Sequence, residues 1–145
     1  MKKTTGKELL IRFRLDFDGF CSIGRGKVQL LEGIERSGSL SQAARDMDMS
    51  YRRAWLLLDS MNNSFDTPVA GTSAGGKNGG GAVLTEFGKE LIAMYRQLEA
   101  EMTAVARQRV RAIEKHVLAG KPALRSAGAA AAARGKSLVR RESRH

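Results

Sequence analysis

Cysteine is nearly absent from this chain of 145 residues. Cys21 stands alone, which excludes an intrachain disulfide framework and makes the cytoplasm the expected location. Histidine is almost as scarce. His116 and His145 lie far apart with no ligand cluster beside them, so no metal site is expected. No apolar run approaches the ~20 residues that span a bilayer. The N-terminus, MKKTTGKELLIRF, is basic but lacks the apolar core and cleavage site of a secretory signal, and no membrane partner is expected. The pattern offers no nucleophile–base pair, which argues against an enzyme.

Acidic residues are also short, fifteen against twenty-five Lys and Arg, for a formal net charge of +10. The excess is uneven. Ala119–His145 holds seven basic residues and one Glu, a net of +6, whereas residues 1–118 hold eighteen against fourteen acids, a net of +4. A polyanion is the simplest partner for such a chain, although a basic tail by itself does not establish nucleic-acid binding. Length and a 42% hydrophobic content suit one small domain with appendages.

The most informative stretch runs from Ser37 to Phe65, SGSLSQAARDMDMSYRRAWLLLDSMNNSF. Ser39-Leu40-Ser41-Gln42 fits a capping box, and Leu40, Ala43, Ala44 and Met47 follow at helical spacing. Asp48-Met49 interrupts the pattern. Ser50 restarts it as a second N-cap, and a longer helix is predicted from Tyr51 to about Phe65. On a helical wheel, Ala54, Leu58, Met61 and Phe65 centre one face, with Tyr51 and Trp55 at one edge and Leu57 at the other. Arg52, Arg53, Asp59, Ser60 and Asn63 fall opposite. Ser50, Tyr51, Arg52 and Arg53 therefore stand at the exposed first turn of a helix anchored from behind, as a helix-turn-helix presents its reading groups to a major groove. Arg suits bidentate bonding to guanine or phosphate. An ordinary helical hairpin with a solvated polar face is the competing reading. Leu56 fits neither, since it sits within the polar face.

Before this pair, Leu9, Ile11, Phe13, Leu15 and Phe17 alternate with polar residues and predict one half-buried strand from Leu9 to Phe17, ended by Asp18-Gly19. A helix from about Lys27 to Arg36 follows, with Val28, Leu30, Leu31 and Ile34 on its apolar side and Gly38 suited to a left-handed cap. After it come a turn at Asp66-Thr67-Pro68, a short strand from Val69 to Thr72, a glycine-rich tip and a return strand, Ala82 to Leu84. A hairpin placed there is a wing, and Lys77 at its tip can meet phosphate. Gly71–Lys77 also matches the first seven positions of a phosphate-binding P-loop. Asn78 replaces the required Ser or Thr, and no helix follows, so nucleotide hydrolysis is rejected.

Thr85 to about Leu118 reads as one long helix. Leu91, Tyr95, Leu98, Met102 and Val105 recur at spacings of four and three, a stripe suited to pairing with a second copy. The alternative is that the stripe packs back on its own domain. Gly120-Lys121-Pro122 ends the helix, and the tail lacks apolar surface to offset its ordering entropy.

The order strand, helix, helix-turn-helix, glycine-rich wing, long helix resembles the N-terminal DNA-binding domain of ModE-type transcriptional regulators. The likeness rests on SGSLSQAARDMDMSYRRAWLLLDSMN and GGKNGGGAVLTEFGKELIAMY and covers about Leu9 to Met102. More loosely, the chain is similar to the winged helix of LysR-type regulators. The resemblance implies DNA binding by a homodimer joined through the long helix. It places Ser50, Tyr51, Arg52 and Arg53 on the recognition helix, Ser41 and Gln42 on the helix before it, and Lys77 on the wing. Longer members add C-terminal β-rich modules that bind molybdate. Nothing in Ala119–His145 suits such a module, so no cofactor is expected, and three alternatives stay open: constitutive DNA binding, response through a separate effector-sensing protein, or no regulation.

The expected fold class is mainly α with a small β component, a winged helix-turn-helix with a long C-terminal dimerisation helix. Residues 9–84 form the winged domain and 85–118 the long helix, between a basic segment at 1–8 and a disordered basic tail at 119–145. The expected function is sequence-specific transcriptional regulation on double-stranded DNA. The alternative is a winged-helix protein-interaction module whose tail holds nucleic acid nonspecifically.

Overall fold

In the computed structural model, which describes residues 8–73 and 81–118, two small hairpins frame three helices and lead into a fourth. β1 (Arg14–Phe17) and β2 (Cys21–Gly24) pair antiparallel, with Arg14 opposite Gly24 and Phe17 opposite Cys21. Next come α1 (Arg25–Ser37), α2 (Leu40–Asp46) and α3 (Tyr51–Ser64). β3 (Ala70–Ser73) and β4 (Gly81–Leu84) pair antiparallel, with Ala70 opposite Leu84, before α4 (Glu86–Glu114). This is the expected class: mainly α, a winged helix-turn-helix and a long C-terminal helix. Lys77, the glycine-rich tip, segment 1–7 and the tail from 119 lie outside the described residues.

Local chemistry sets the helix boundaries. α1 ends where Gly38 turns left-handed (φ 68°) and its amide returns to the Ile34 carbonyl, 2.7 Å away. At the start of α2 the Ser39 hydroxyl accepts from the Gln42 amide at 3.1 Å. The expected capping box closes in one direction only. The Gln42 side chain donates instead to Asp46, and the Ser39 amide donates to the Ser37 hydroxyl. Asp48 adopts φ 53° after α2, its amide bonding to the Arg45 carbonyl and that of Met49 to the Ala44 carbonyl. This Schellman closure makes the tight turn between the paired helices. Ser50 then caps α3, accepting from the Arg53 amide at 3.1 Å.

The strand expected over Leu9–Phe17 is shorter, and β2 is a strand the sequence reading did not contain. The alternation itself is real: Leu9, Ile11, Phe13 and Leu15 are half-buried, while Leu10, Arg12, Arg14 and Asp16 are exposed. Only residues 14–17 meet a partner, because α1 begins at Arg25 and leaves β2 four residues long. Asp18 (φ 51°) and Gly19 (φ 81°) form the turn, and the Phe20 amide donates to the Phe17 carbonyl. Asp-Gly favours such paired positive φ values, so it joins two strands where it was read as ending one.

The core gathers Val28, Leu30, Leu31 and Ile34 from α1 with apolar faces of α2, α3, the wing and the first half of α4. Leu91 and Tyr95 belong to this core, at 5% and 0% exposure. For these two residues the stripe packs on its own domain, because the N-terminal segment supplies a cover. The Phe13 ring stacks on Tyr95 at 4.5 Å, and the Tyr95 hydroxyl donates to the Phe13 carbonyl at 3.0 Å. Burial, and then the Glu99 carboxylate, push the Tyr95 phenol above its ordinary value, so it remains a donor near neutrality. Arg96 clamps α4 to α1 through two bonds to Glu32 and adds a third to Glu99. The Glu32 bonds are the main reason its guanidinium is held still more firmly protonated. α4 stops at Glu114, short of the expected Leu118, and tighter i→i+3 bonds from His116 and Val117 follow.

Candidate nucleic-acid interface

α3 carries its candidate side chains on a buried keel. Ala54, Leu58 and Met61 are 0%, 5% and 1% exposed, which fixes the rotation of the helix about its axis. Ser50, Tyr51, Arg52 and Arg53 are consequently exposed at its first turn. The Ser50 hydroxyl is committed to the cap, so its contribution is positional. Among the described residues, the Arg52 and Arg53 guanidinium groups form no ion pair, and no acidic residue occupies the first turn of α3. Two unneutralised cations thus sit together on a rigid element. By contrast, the guanidinium groups of Arg14, Arg36 and Arg96 are each within 4 Å of a carboxylate.

α2 crosses behind this turn. Ser41 and Gln42 are half-buried, and the Gln42 amide is held on both sides. Its nitrogen donates to Asp46 at 2.8 Å, and its oxygen accepts from Arg45 at 2.8 Å. Arg36 of α1 approaches the other Asp46 oxygen at 3.5 Å. Sequence reasoning missed Arg36 and Arg45, although both are basic, exposed and tied to the site through Asp46 and Gln42. The clue was their position in the last turns of α1 and α2, next to the helix pair.

The wing is seated beside these helices. The Ala82 amide donates to the Gly38 carbonyl at 3.1 Å, and Ser39 and Gly81 form an isolated β-bridge. The Asn62 side chain bonds to the backbone of Val69 and Ala70. These bonds join the base of β3–β4 to α3, and the first residues of β4 to the junction of α1 and α2. Lys77 lies outside the described residues.

Of the stripe expected to meet a second copy, Leu91 and Tyr95 are core residues, Leu98 and Met102 are half-buried, and Val105 is 57% exposed. Beside this part of α4, the extended segment from Glu8 to Ile11 lines a cavity of about 400 Å³ with Ala100, Thr103 and Ala104. No group of three or more metal-binding side chains occurs among the described residues. None of their helices is long and apolar enough to cross a membrane.

A capped helix pair, a seated hairpin and a long following helix define a winged helix-turn-helix. No family model matches the chain. Its relatives are nevertheless specific. It is 42% identical over 97 residues to the molybdenum transport protein ModE of Azotobacter vinelandii, a match covering 67% of this chain and 36% of that protein. It is 49% identical over 78 residues to the molybdenum-pterin-binding protein MopB of Rhodobacter capsulatus, covering 54% and 29%. Against the DNA-binding transcriptional dual regulator ModE of Escherichia coli K12 it is 40% identical over 88 residues, covering 61% and 33%. The matched part of the chain is a ModE-like N-terminal domain. The matches span about a third of the length of these curated relatives.

Proposed function

We propose that this chain is a cytoplasmic, sequence-specific transcriptional regulator of the ModE type that reads double-stranded DNA as a homodimer. The observation that carries the reading is the first turn of α3, where Arg52 and Arg53 stand exposed and without ion pairs on a helix whose opposite face is core. α3 enters the major groove. Tyr51, Arg52 and Arg53 contact bases and phosphates, and Ser41, Gln42 and Ser50 hold the backbone in register. Lys77 on the wing meets the adjoining phosphates. The rest of the α4 stripe, half-buried Leu98 and Met102 with exposed Val105, joins two copies. Two-fold symmetry then sets half-sites about one helical turn apart, ~10 bp or a multiple. The reading requires no bound cofactor.

Selection of genomic fragments at near-physiological salt tests it, using the full chain and residues 1–118. A shared inverted repeat from both is the expected outcome. Enrichment without a motif, lost together with the tail, would leave only nonspecific attraction and favour a protein-docking winged helix. On the selected site, Arg52→Ala is expected to cost about 1–3 kcal/mol at one base position. An equal loss on random DNA would reduce Arg52 to a phosphate contact.

A further inference from the structure

α3 exposes a side chain that neither packing nor charge accounts for. Leu56 is 50% exposed in the middle of the helix, facing away from the Ala54–Leu58–Met61 keel. It stands one turn beyond Arg52 on the same stripe, followed there by Asp59 and Asn63, with Trp55 beside it at 46% exposure. The stripe that presents Arg52 outward therefore presents Leu56 outward as well.

An aliphatic side chain has no hydrogen bond to offer a base edge. Only one base carries a methyl group in the major groove, and that is thymine, at C5. Charge favours nucleic acid as the occupant of this face, since the turn leading to Leu56 holds two unpaired guanidinium groups and no acid. Four residues of helix advance about 6 Å. With base pairs stacked about 3.4 Å apart, that is roughly two steps along the duplex.

We propose that Leu56 is a specificity-determining residue that packs on the C5-methyl of a thymine, within about two base pairs of the base read by Arg52. The proposal rests on the DNA-reading function argued above. It adds a requirement that Arg52 and Arg53 do not impose, since neither guanidinium distinguishes thymine from uracil.

The test uses the full chain and a duplex it selects from a random pool. Each thymine is replaced in turn by deoxyuridine, which removes the methyl and leaves every hydrogen-bonding group in place. One thymine in each half-site is expected to show a loss of about fourfold in affinity, the worth of one buried methyl group. Leu56→Ala is expected to melt with the parent protein, to bind the thymine duplex at least about fourfold more weakly, and to be indifferent to deoxyuridine at that position. A selected duplex that tolerates deoxyuridine everywhere would overturn the proposal while leaving DNA reading intact. So would a deoxyuridine effect that persists in Leu56→Ala, which would assign the methyl to another side chain. A pool that yields no preferred sequence would overturn DNA reading itself, and this role for Leu56 with it.

Discussion

Each hairpin pairs four residues with four, yet the chain supports the two in different ways. The wing, β3–β4, has one face and its base held by the rest of the domain. Val69, Ala70, Ala82 and Leu84 are buried, Asn62 of α3 bonds to the backbone where β3 begins, and the Thr85 hydroxyl donates to the Pro68 carbonyl. β1–β2 has one buried residue, Ile23. Its attachments lie beside it, in the Phe13–Tyr95 stack and in a bond from the Lys27 ammonium to the Ser22 carbonyl. Its turn carries Phe17 and Phe20 at 54% and 87% exposure. Pairing alone does not determine which hairpin is rigid. What decides is whether the backbone polar groups at the hairpin's base are satisfied by the core.

The sharpest way to break the contrast is at Gly88. This residue, in the first turn of α4, lies directly against Val69, just before β3, and a Cβ there would run into the Val69 carbonyl oxygen. Backbone has little room to yield, so Gly88→Ala is expected to destabilise the domain by about 3 kcal/mol in denaturant unfolding. Gly26→Ala is the control. A Cβ at that position in α1 meets nothing, and the change should stabilise by about 0.5–1 kcal/mol. If the two variants unfolded alike, α4 would not be seated on the wing as described.

Asn62 tests the other support. Its Oδ1 accepts from the Val69 amide at 2.8 Å and the Ala70 amide at 3.4 Å, and its Nδ2 donates to the Ala70 carbonyl at 3.1 Å. Asn62→Ala strands buried backbone groups and should cost about 1–3 kcal/mol, read as a shift in the urea midpoint. A shift below a few tenths would mean that water replaces the side chain and the wing base is looser than the bonding implies.

These supports also mark where the sequence was readable. The caps at Ser39 and Ser50 and the left-handed Gly38 were legible because each needs only three or four neighbouring residues. The faces of α3, and with them the exposed Arg52 and Arg53, followed from one helical period. The Glu32–Arg96 clamp joins residues 64 apart, and nothing local announces it. Gly88 gave no hint of close approach, since its cause is the backbone of Val69, nearly twenty residues earlier. The spacing of Leu91 and Tyr95 showed a stripe without showing what covers it, and Phe13 stacks on Tyr95. β2 was hidden for a different reason. Its four residues, Cys-Ser-Ile-Gly, alternate over too short a run to stand out, so Asp18-Gly19 was the stronger signal.

The smallest effect is expected at the tip of the less supported hairpin. Phe20 is 87% exposed, and the described contact at its position is made by its backbone amide, which a substitution retains. Phe20→Ser removes a large apolar side chain that buries almost nothing, so stability should stay within about 0.5 kcal/mol of the parent. The comparison predicts that contrast directly, with substitutions at the wing base costing far more than a drastic change at this tip. A loss above about 1 kcal/mol would mean that Phe20 is covered in solution. Repeating the unfolding at several protein concentrations would then locate the cover. A loss that grows with concentration places Phe20 against a second copy, because association stabilises only the folded state by mass action. A loss independent of concentration places it against its own chain, and the first hairpin would then be as firmly based as the wing.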